Sequence, residues 1–183
     1  MSNTVHINMV ETSIKFLKIR EVKSPSRANK YDAGIDFYVP EFTIQFMGDL
    51  KEKNPNIDFN AFGIYLKPGD RVLIPSGIHC QMSNPNRALI AANKSGVATK
   101  QGLVFGAQVV DYEYQGEIHI SLIYTGNSTC AIFPGQKILQ FLETPVYNSD
   151  IDIITNQTPQ EFYEDIKTTR GTDGFGSSDH KLK

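Results

Sequence analysis

Asp111 is the residue whose neighbours best equip it for chemistry. Val109 and Val110 run into it, Tyr112, Glu113, Tyr114 and Gln115 follow, and Gly116 releases the chain into Ile118, Ile120 and Leu122. An apolar approach, an acidic and aromatic centre and an alternating exit predict a β-hairpin or tight strand turn over 106–118. An acid on a rigid strand end can be aimed at a water molecule, and a tyrosine three residues on offers a flat face to a ring. The same pattern also describes an ordinary hairpin with a solvated polar tip, and this stretch alone fits both.

Four other stretches carry polar groups beside glycine. Gly34 and Asp36 stand just before an aromatic strand start, Phe37-Tyr38, where Gly34 allows a turn or a close approach and Asp36 reads locally as a turn cap. Asn93-Lys94-Ser95-Gly96 brings a cation, a hydroxyl and a glycine together ahead of one or two helical turns, a combination able to bind an anion. Gln140 is one polar residue inside the apolar run Ile138 to Leu142, so it must find hydrogen-bond partners in backbone or ligand. Arg170-Gly171-Thr172-Asp173-Gly174-Phe175-Gly176-Ser177-Ser178 could wrap a phosphate and cap a ring, or be a glycine-rich tail.

Composition narrows what such groups can serve. A chain of 183 residues is long enough for one domain that buries most of its unfolded surface. A net charge of −2 supplies no global field toward nucleic acid or membrane, so neither is expected as a partner and any polyanion must be met by local cations. No apolar run reaches the ~18 residues of a membrane span, and the N-terminus lacks a basic-then-apolar signal pattern. Cys80 and Cys130 lie far apart in apolar contexts and read as small core residues, and four scattered histidines give no zinc spacing. The expected compartment is the reducing cytoplasm.

The elements that would position these groups are short strands. Alternation over Ile14 to Val22 predicts the first, after a frayed polar tail at 1–13. Residues 40–62, with Pro40, Gly48, Pro55 and several Asn, read as an inserted surface excursion carrying a short hairpin. Strand patterning resumes at Gly63–Leu66 and continues through Val72–Ile74, Ile78–Met82 and Ala88–Ala92, then Gly116–Tyr124, Cys130–Phe133 and Ile138–Leu142. Gly/Pro turns every 8–12 residues predict an all-β sandwich or barrel. Thr158-Pro159-Gln160-Glu161 opens one short helix.

Taken in order, five of these pieces resemble the motifs of the trimeric dUTPases: Ala33–Tyr38, Lys94–Ala98, Val109–Glu117, Gly135–Gln140 and Arg170–Ser178. The resemblance spans residues 33–178, and five modest motifs in sequence order are far more specific than any one of them. It implies an all-β, jelly-roll or barrel-like homotrimer with at most a short helix, formed by a single domain over 1–183 with a lid arm at 170–183. It also implies hydrolysis of dUTP to dUMP and pyrophosphate with Mg²⁺ on the triphosphate. By that resemblance Asp111 is the base for the attacking water and Tyr114 packs beneath the deoxyribose. The backbone around Gln108, Val109, Val110 and His119 reads the uracil edge. Lys94, Ser95, Gly96 and Gln140 hold phosphates, and Asp36 reaches the metal through water. Arg170, Phe175, Gly176 and Ser177 close over the ligand.

The match departs from the family pattern in places. Lys94 replaces an arginine and so loses a planar two-pronged donor. Gln108 replaces a glycine, Gln136-Lys137 replaces Asp-Arg, and Asp173 sets a carboxylate in the last motif. The 40–62 segment lengthens the gap between the first two motifs by about a dozen residues, and is a candidate protein-partner site. A related deaminase of dCTP shares parts of the fold but needs a glutamate where this chain has Ser121. A dUTPase-like binding protein with weak or absent hydrolysis is the reading of another class.

Overall fold

The computed structural model describes residues 13–168 and Gly171. They form two compact units, one extending to Tyr147 and one starting at Asn148. The first is all-β in character. Its strands are β1 (Ile14–Lys18), β2 (Gly34–Tyr38), β3 (Asp58–Asn60), β4 (Gly63–Leu66), β5 (Arg71–Pro75), β6 (Ile78–Met82) and β7 (Arg87–Ala92). They continue with β8 (Leu103–Phe105), β9 (Val109–Val110), β10 (His119–Tyr124), β11 (Cys130–Ile132) and β12 (Lys137–Pro145). Two helices interrupt them, α1 (Ile44–Lys53) and α2 (Ser95–Gln101). The strands assemble into sheets of order β1-β6, β5-β10-β8, β11-β4-β3 and β2-β12-β7-β9, and every pairing is antiparallel.

The core follows the alternation of the strands. In β10 the even positions Ile120, Leu122 and Tyr124 are buried, while Ser121 and Ile123 are only half-buried. Phe37 of β2 lies at the centre, fully enclosed, with its ring edge-on to Phe16 of β1 and Phe141 of β12 at 5.8 and 4.7 Å. Such edge-to-face pairs add about 0.5–1.5 kcal/mol each beyond the area they bury.

The 40–62 segment differs from the expected surface hairpin. It contains the ten-residue helix α1, capped by Thr43, whose hydroxyl accepts the Phe46 N–H at 3.2 Å. Phe46 and Leu50, four residues apart on one helical face, are completely buried and Ile57 nearly so. A Cβ at Gly48, in the middle of α1, would meet only open space, so no close approach requires glycine there. The helix packs against β5 and belongs to the core.

Asn54, which closes α1, explains how. It is buried, and its amide nitrogen donates to Leu50 O and Leu73 O, both at 2.8 Å, while its oxygen accepts Leu73 N–H at 2.7 Å. Leu73 lies in β5, the outer strand of its sheet, so this one side chain replaces the missing neighbouring strand there. The first strand is shorter than its alternation suggested, ending at Lys18, because Ile19 and Arg20 leave the β1-β6 ladder for the 75–77 turn. In the second unit, α3 (Pro159–Phe162) has the expected start: Thr158 and Glu161 form a reciprocal capping box.

Asn54→Leu should therefore lower unfolding free energy by about 2–4 kcal/mol, since it strands an N–H and a C=O of Leu73 and removes the side-chain donor to the Leu50 carbonyl. The urea midpoint should fall without a change in m. A shift below about 0.5 kcal/mol would show that water replaces the amide at no cost.

Candidate functional site

One sheet carries all the described motifs. In the order β2-β12-β7-β9, β2 holds Asp36, β12 holds Lys137 and Gln140, β7 leads into Lys94 and Ser95, and β9 leads into Asp111. The side chains form two groups.

The first group centres on Asp36, which sits in mid-strand and is only 3% exposed, not in a turn. Its register partner on β12 is Gln140. Lys94 Nζ donates to Oδ1 at 2.5 Å and Lys137 Nζ lies 2.9 Å from Oδ2. Lys137 reaches that face through a register shift between Lys137 and Leu139. The extra residue brings Ile138 and Leu139 inward together, both buried, and turns Lys137 to the side of Gln140. Burial alone would raise the Asp36 carboxyl, but hydrogen bonds from Lys94 and Lys137 outweigh it and hold the group below the usual carboxylate range.

Gln140 donates to Asn93 O at 2.8 Å, and Asn93 Oδ1 accepts the Phe105 N–H at 2.9 Å, which fixes the bend that presents Lys94 and Ser95. The side chain of Gln140 lies directly over Gly34, where a Cβ would come 2.0 Å from Oε1. Close approach is thus the reason for glycine at 34. Ser95 and Gly96 are exposed at the start of α2, with no side chain capping that helix.

The second group is the 106–118 stretch, which is not a hairpin but holds a tight turn directly after β9, closed by Tyr114 N–H on Asp111 O at 3.2 Å. β9 spans two residues and pairs with β7, while β10 starts at His119 and pairs with β5 and β8. The limbs enter different sheets because Gln108 O accepts the Ala91 N–H at 2.7 Å on one side, while Ile118 N–H donates to Ile78 O at 2.8 Å on the other. Between them Asp111 is exposed, and Tyr114 folds back over Gly116 with its hydroxyl donating to Glu117 O at 2.9 Å. Val109, Tyr112 and Tyr114 are exposed apolar surfaces around Asp111. His119 Nδ1 lies 2.8 Å from the same Glu117 carbonyl.

Residues 1–12, Arg170, Asp173, Phe175, Gly176 and Ser177 fall outside the described residues. Sequence reasoning missed Lys137 as part of the Asp36 group, and missed Glu117 and Arg20, whose guanidinium pairs with Glu117 at 2.9 Å. Cys80 and Cys130 are half-buried free thiols, and burial together with Glu143 pushes Cys80 up to about 11, which keeps it protonated. Among the described residues no three His, Cys, Asp or Glu side chains converge as metal ligands, and Asp36 has both oxygens engaged by ammonium groups. This donor set does not fit a metal held by the protein alone. No helix among the described residues is long and apolar enough to cross a membrane.

Fold and site together define an all-β protein with an exposed carboxylate–tyrosine loop and a cation-rich cluster on one antiparallel sheet, a class suited to phosphorylated ligands with a ring. The dUTPase family model matches residues 61–179. Deoxyuridine 5'-triphosphate nucleotidohydrolase of Pseudomonas entomophila (strain L48) is 36% identical over 115 residues, which cover 62% of this chain and 71% of that protein. A point mutant of the dUTPase of Staphylococcus bacteriophage 80alpha, solved with dUpNHpp, superposes with a TM-score of 0.68 at 16% identity, covering 91% of this chain and 98% of that one. A point mutant of the dUTPase from phage phi11 of S. aureus, whose structure details the coordination of a structural Mg(II) ion, superposes with a TM-score of 0.61 at 16% identity over 80% of this chain and 99% of its own. The chain belongs to the dUTPase family. Arg20, Asp36 and Asp49 precede the stretch that the family model matches.

The lowered carboxyl of Asp36 gives a pH test. Its contribution to stability is present above the unfolded value of about 4 and is lost as pH falls through the lower folded value. Asp36→Asn should be less stable than wild type at neutral pH and should lose stability less steeply between about pH 5 and about pH 2. Chemical denaturation across that range reads both, and parallel curves would show that Asp36 is not a folding-linked acid.

Proposed function

We propose that this chain hydrolyses dUTP to dUMP and pyrophosphate by attack of water on the α-phosphorus. The observation that carries the reading is the exposed loop in which Asp111 stands beside Tyr114, whose ring is pinned over Gly116. In this reading Asp111 accepts a proton from the attacking water, the new phosphorus–oxygen bond forms, and the bond to the β-phosphate breaks as pyrophosphate leaves. The Tyr114 face supports the deoxyribose and leaves no room for a 2′-hydroxyl. Main-chain groups of Gln108, Val109 and Val110, with His119, meet the uracil edge, where a thymine methyl has no space.

The Lys94–Asp36–Lys137 cluster is the counter-charge for the triphosphate. Two ammonium groups against one carboxylate leave it net cationic, and Lys94 can exchange Asp36 for a phosphate oxygen while Lys137 keeps Asp36 paired. Ser95, Gly96 and Gln140 complete that half. Asp36 is then a holder of the two lysines, and Mg²⁺ enters as part of the substrate, coordinated by its phosphates. The two halves belong to neighbouring subunits of a homotrimer, and Arg170, Phe175, Gly176 and Ser177 close the site as a lid. The substrate is a free nucleotide, so the cytoplasm is the proposed setting.

Pyrophosphate release from dUTP, dCTP, dTTP and UTP, each with and without Mg²⁺, tests the reading. Release confined to dUTP and dependent on the metal is expected, and Asp111→Asn should retain dUTP binding while turnover falls roughly 10²-fold or more. A folded wild-type protein that releases nothing from any of the four would overturn the proposal.

A further inference from the structure

Arg20 ties distant parts of the chain to a single carboxylate. Its Nε and Nη2 donate to the two oxygens of Glu117, each at 2.9 Å, in a two-pronged ion pair. Nη2 also lies 2.7 Å from Asp49 Oδ2 on α1. The side chains of Arg20 and Glu117 are 11% and 13% exposed, so water screens this pair little. The Gly77 N–H donates to Glu117 Oε1 at 2.6 Å. Gly77 has φ +75°, and a Cβ there would stand 2.8 Å from Arg20 Cβ, so the turn is shaped around the arginine. Burial by itself would raise the Glu117 carboxyl, but Arg20 and the Gly77 N–H hold it below the usual range.

The other end of Glu117 faces the substrate loop. Its main-chain carbonyl accepts the Tyr114 hydroxyl and lies within hydrogen-bond distance of His119 Nδ1. The loop between Val110 and His119 has no strand ladder of its own; Tyr114 N–H donates to Asp111 O at 3.2 Å, His79 Nδ1 lies 2.9 Å from Gln115 O, and the clamped Glu117 fixes the hydroxyl end of the Tyr114 ring. Without its cation a nearly enclosed carboxylate is an uncompensated charge, which destabilises the segment that carries it and the Tyr114 contact on the same residue.

We propose that Arg20, braced by Asp49, is a positioning residue that sets Tyr114 and His119 through Glu117 and thereby sets the discrimination of dUTP from UTP. This rests on the proposed hydrolysis of dUTP. Arg20 touches neither substrate nor the reacting atoms in this scheme; it acts through the loop. It also gives α1 a part in specificity as well as in the core.

The test uses the full chain with Arg20→Met, Arg20→Lys and Asp49→Asn. The ratio of kcat/KM for dUTP to that for UTP is read together with amide hydrogen exchange over residues 112–119. In Arg20→Met the ratio should fall at least about fivefold, with KM for dUTP rising by a larger factor than kcat falls. Arg20→Lys, which keeps the charge and one prong, should recover part of the loss, and Asp49→Asn should shift the ratio in the same direction by less. Exchange should quicken in 112–119 while β2 and β12 stay as in wild type. A merely structural arginine would lower stability and leave the ratio alone, so a ratio within twofold of wild type in every variant that folds overturns the proposal. If Arg20→Met does not fold, the other two variants decide by the same criterion. If wild type hydrolyses no dUTP, the activity reading fails instead, and loop exchange alone decides whether Arg20 holds Glu117.

Discussion

The register between β2 and β12 is the constraint on which the rest of the structure depends. It sets Gln140 opposite Asp36 on one side and opposite Ala92 on the other, so β12 joins the strand that carries the buried acid to the strand that leads into Lys94. A slip by one residue would send Gln140 into the core and bring an apolar neighbour out over Gly34. The bulge at Ile138 is part of the same constraint. It allows two consecutive residues to face inward, and only with that extra residue does Lys137 join Lys94 on the carboxylate. Electrostatics reinforce the pairing, because an enclosed Asp36 without its cations would favour any register that let it reach water.

Against this rigid half stands a loop built differently. Residues 111–118 are held at their ends by main-chain bonds to neighbouring strands and in the middle by the turn bond from Tyr114 N–H to Asp111 O and by side chains: His79 on the Gln115 carbonyl, Tyr114 on the Glu117 carbonyl, Glu117 on Arg20. A sheet fixes charge well but presents a flat surface. A loop can offer an acid and a ring edge side by side, at the cost of needing its own supports. The division of labour suits a ligand with a polyanionic end and a ring end, since the two ends ask for different kinds of surface.

Much of this was legible in the sequence, for identifiable reasons. Strands bounded by Gly and Pro turns declared themselves by alternation, and the capping box at Thr158 and Glu161 was written in four residues. The glycine at 34 called for a close approach, and the Gln140 side chain supplies it. Helix α1 was hidden because Pro40, Gly48 and Pro55 look like loop signals, although Thr43 as a cap and the spacing of Phe46, Met47 and Leu50 were there to be read. Asp36 reads as a cap until its strand is paired, since nothing local says that two lysines 58 and 101 positions away will meet it. The expected hairpin failed for a similar reason. Ala91 and Ile78 draw its two limbs into different sheets, and pairings between residues far apart in the chain leave no local trace.

Asn54 has a consequence beyond the strength of its own hydrogen bonds. β5 is the outermost strand of its sheet, and an outermost strand with open N–H and C=O groups is a template on which another chain can dock edge to edge. The Asn54 amide occupies that template at Leu73, and the body of α1 lies against the same strand. The helix therefore works as a guard against aggregation as well as a piece of core. Shortening the 40–62 segment to make the chain more compact would expose that strand, trading solubility for brevity.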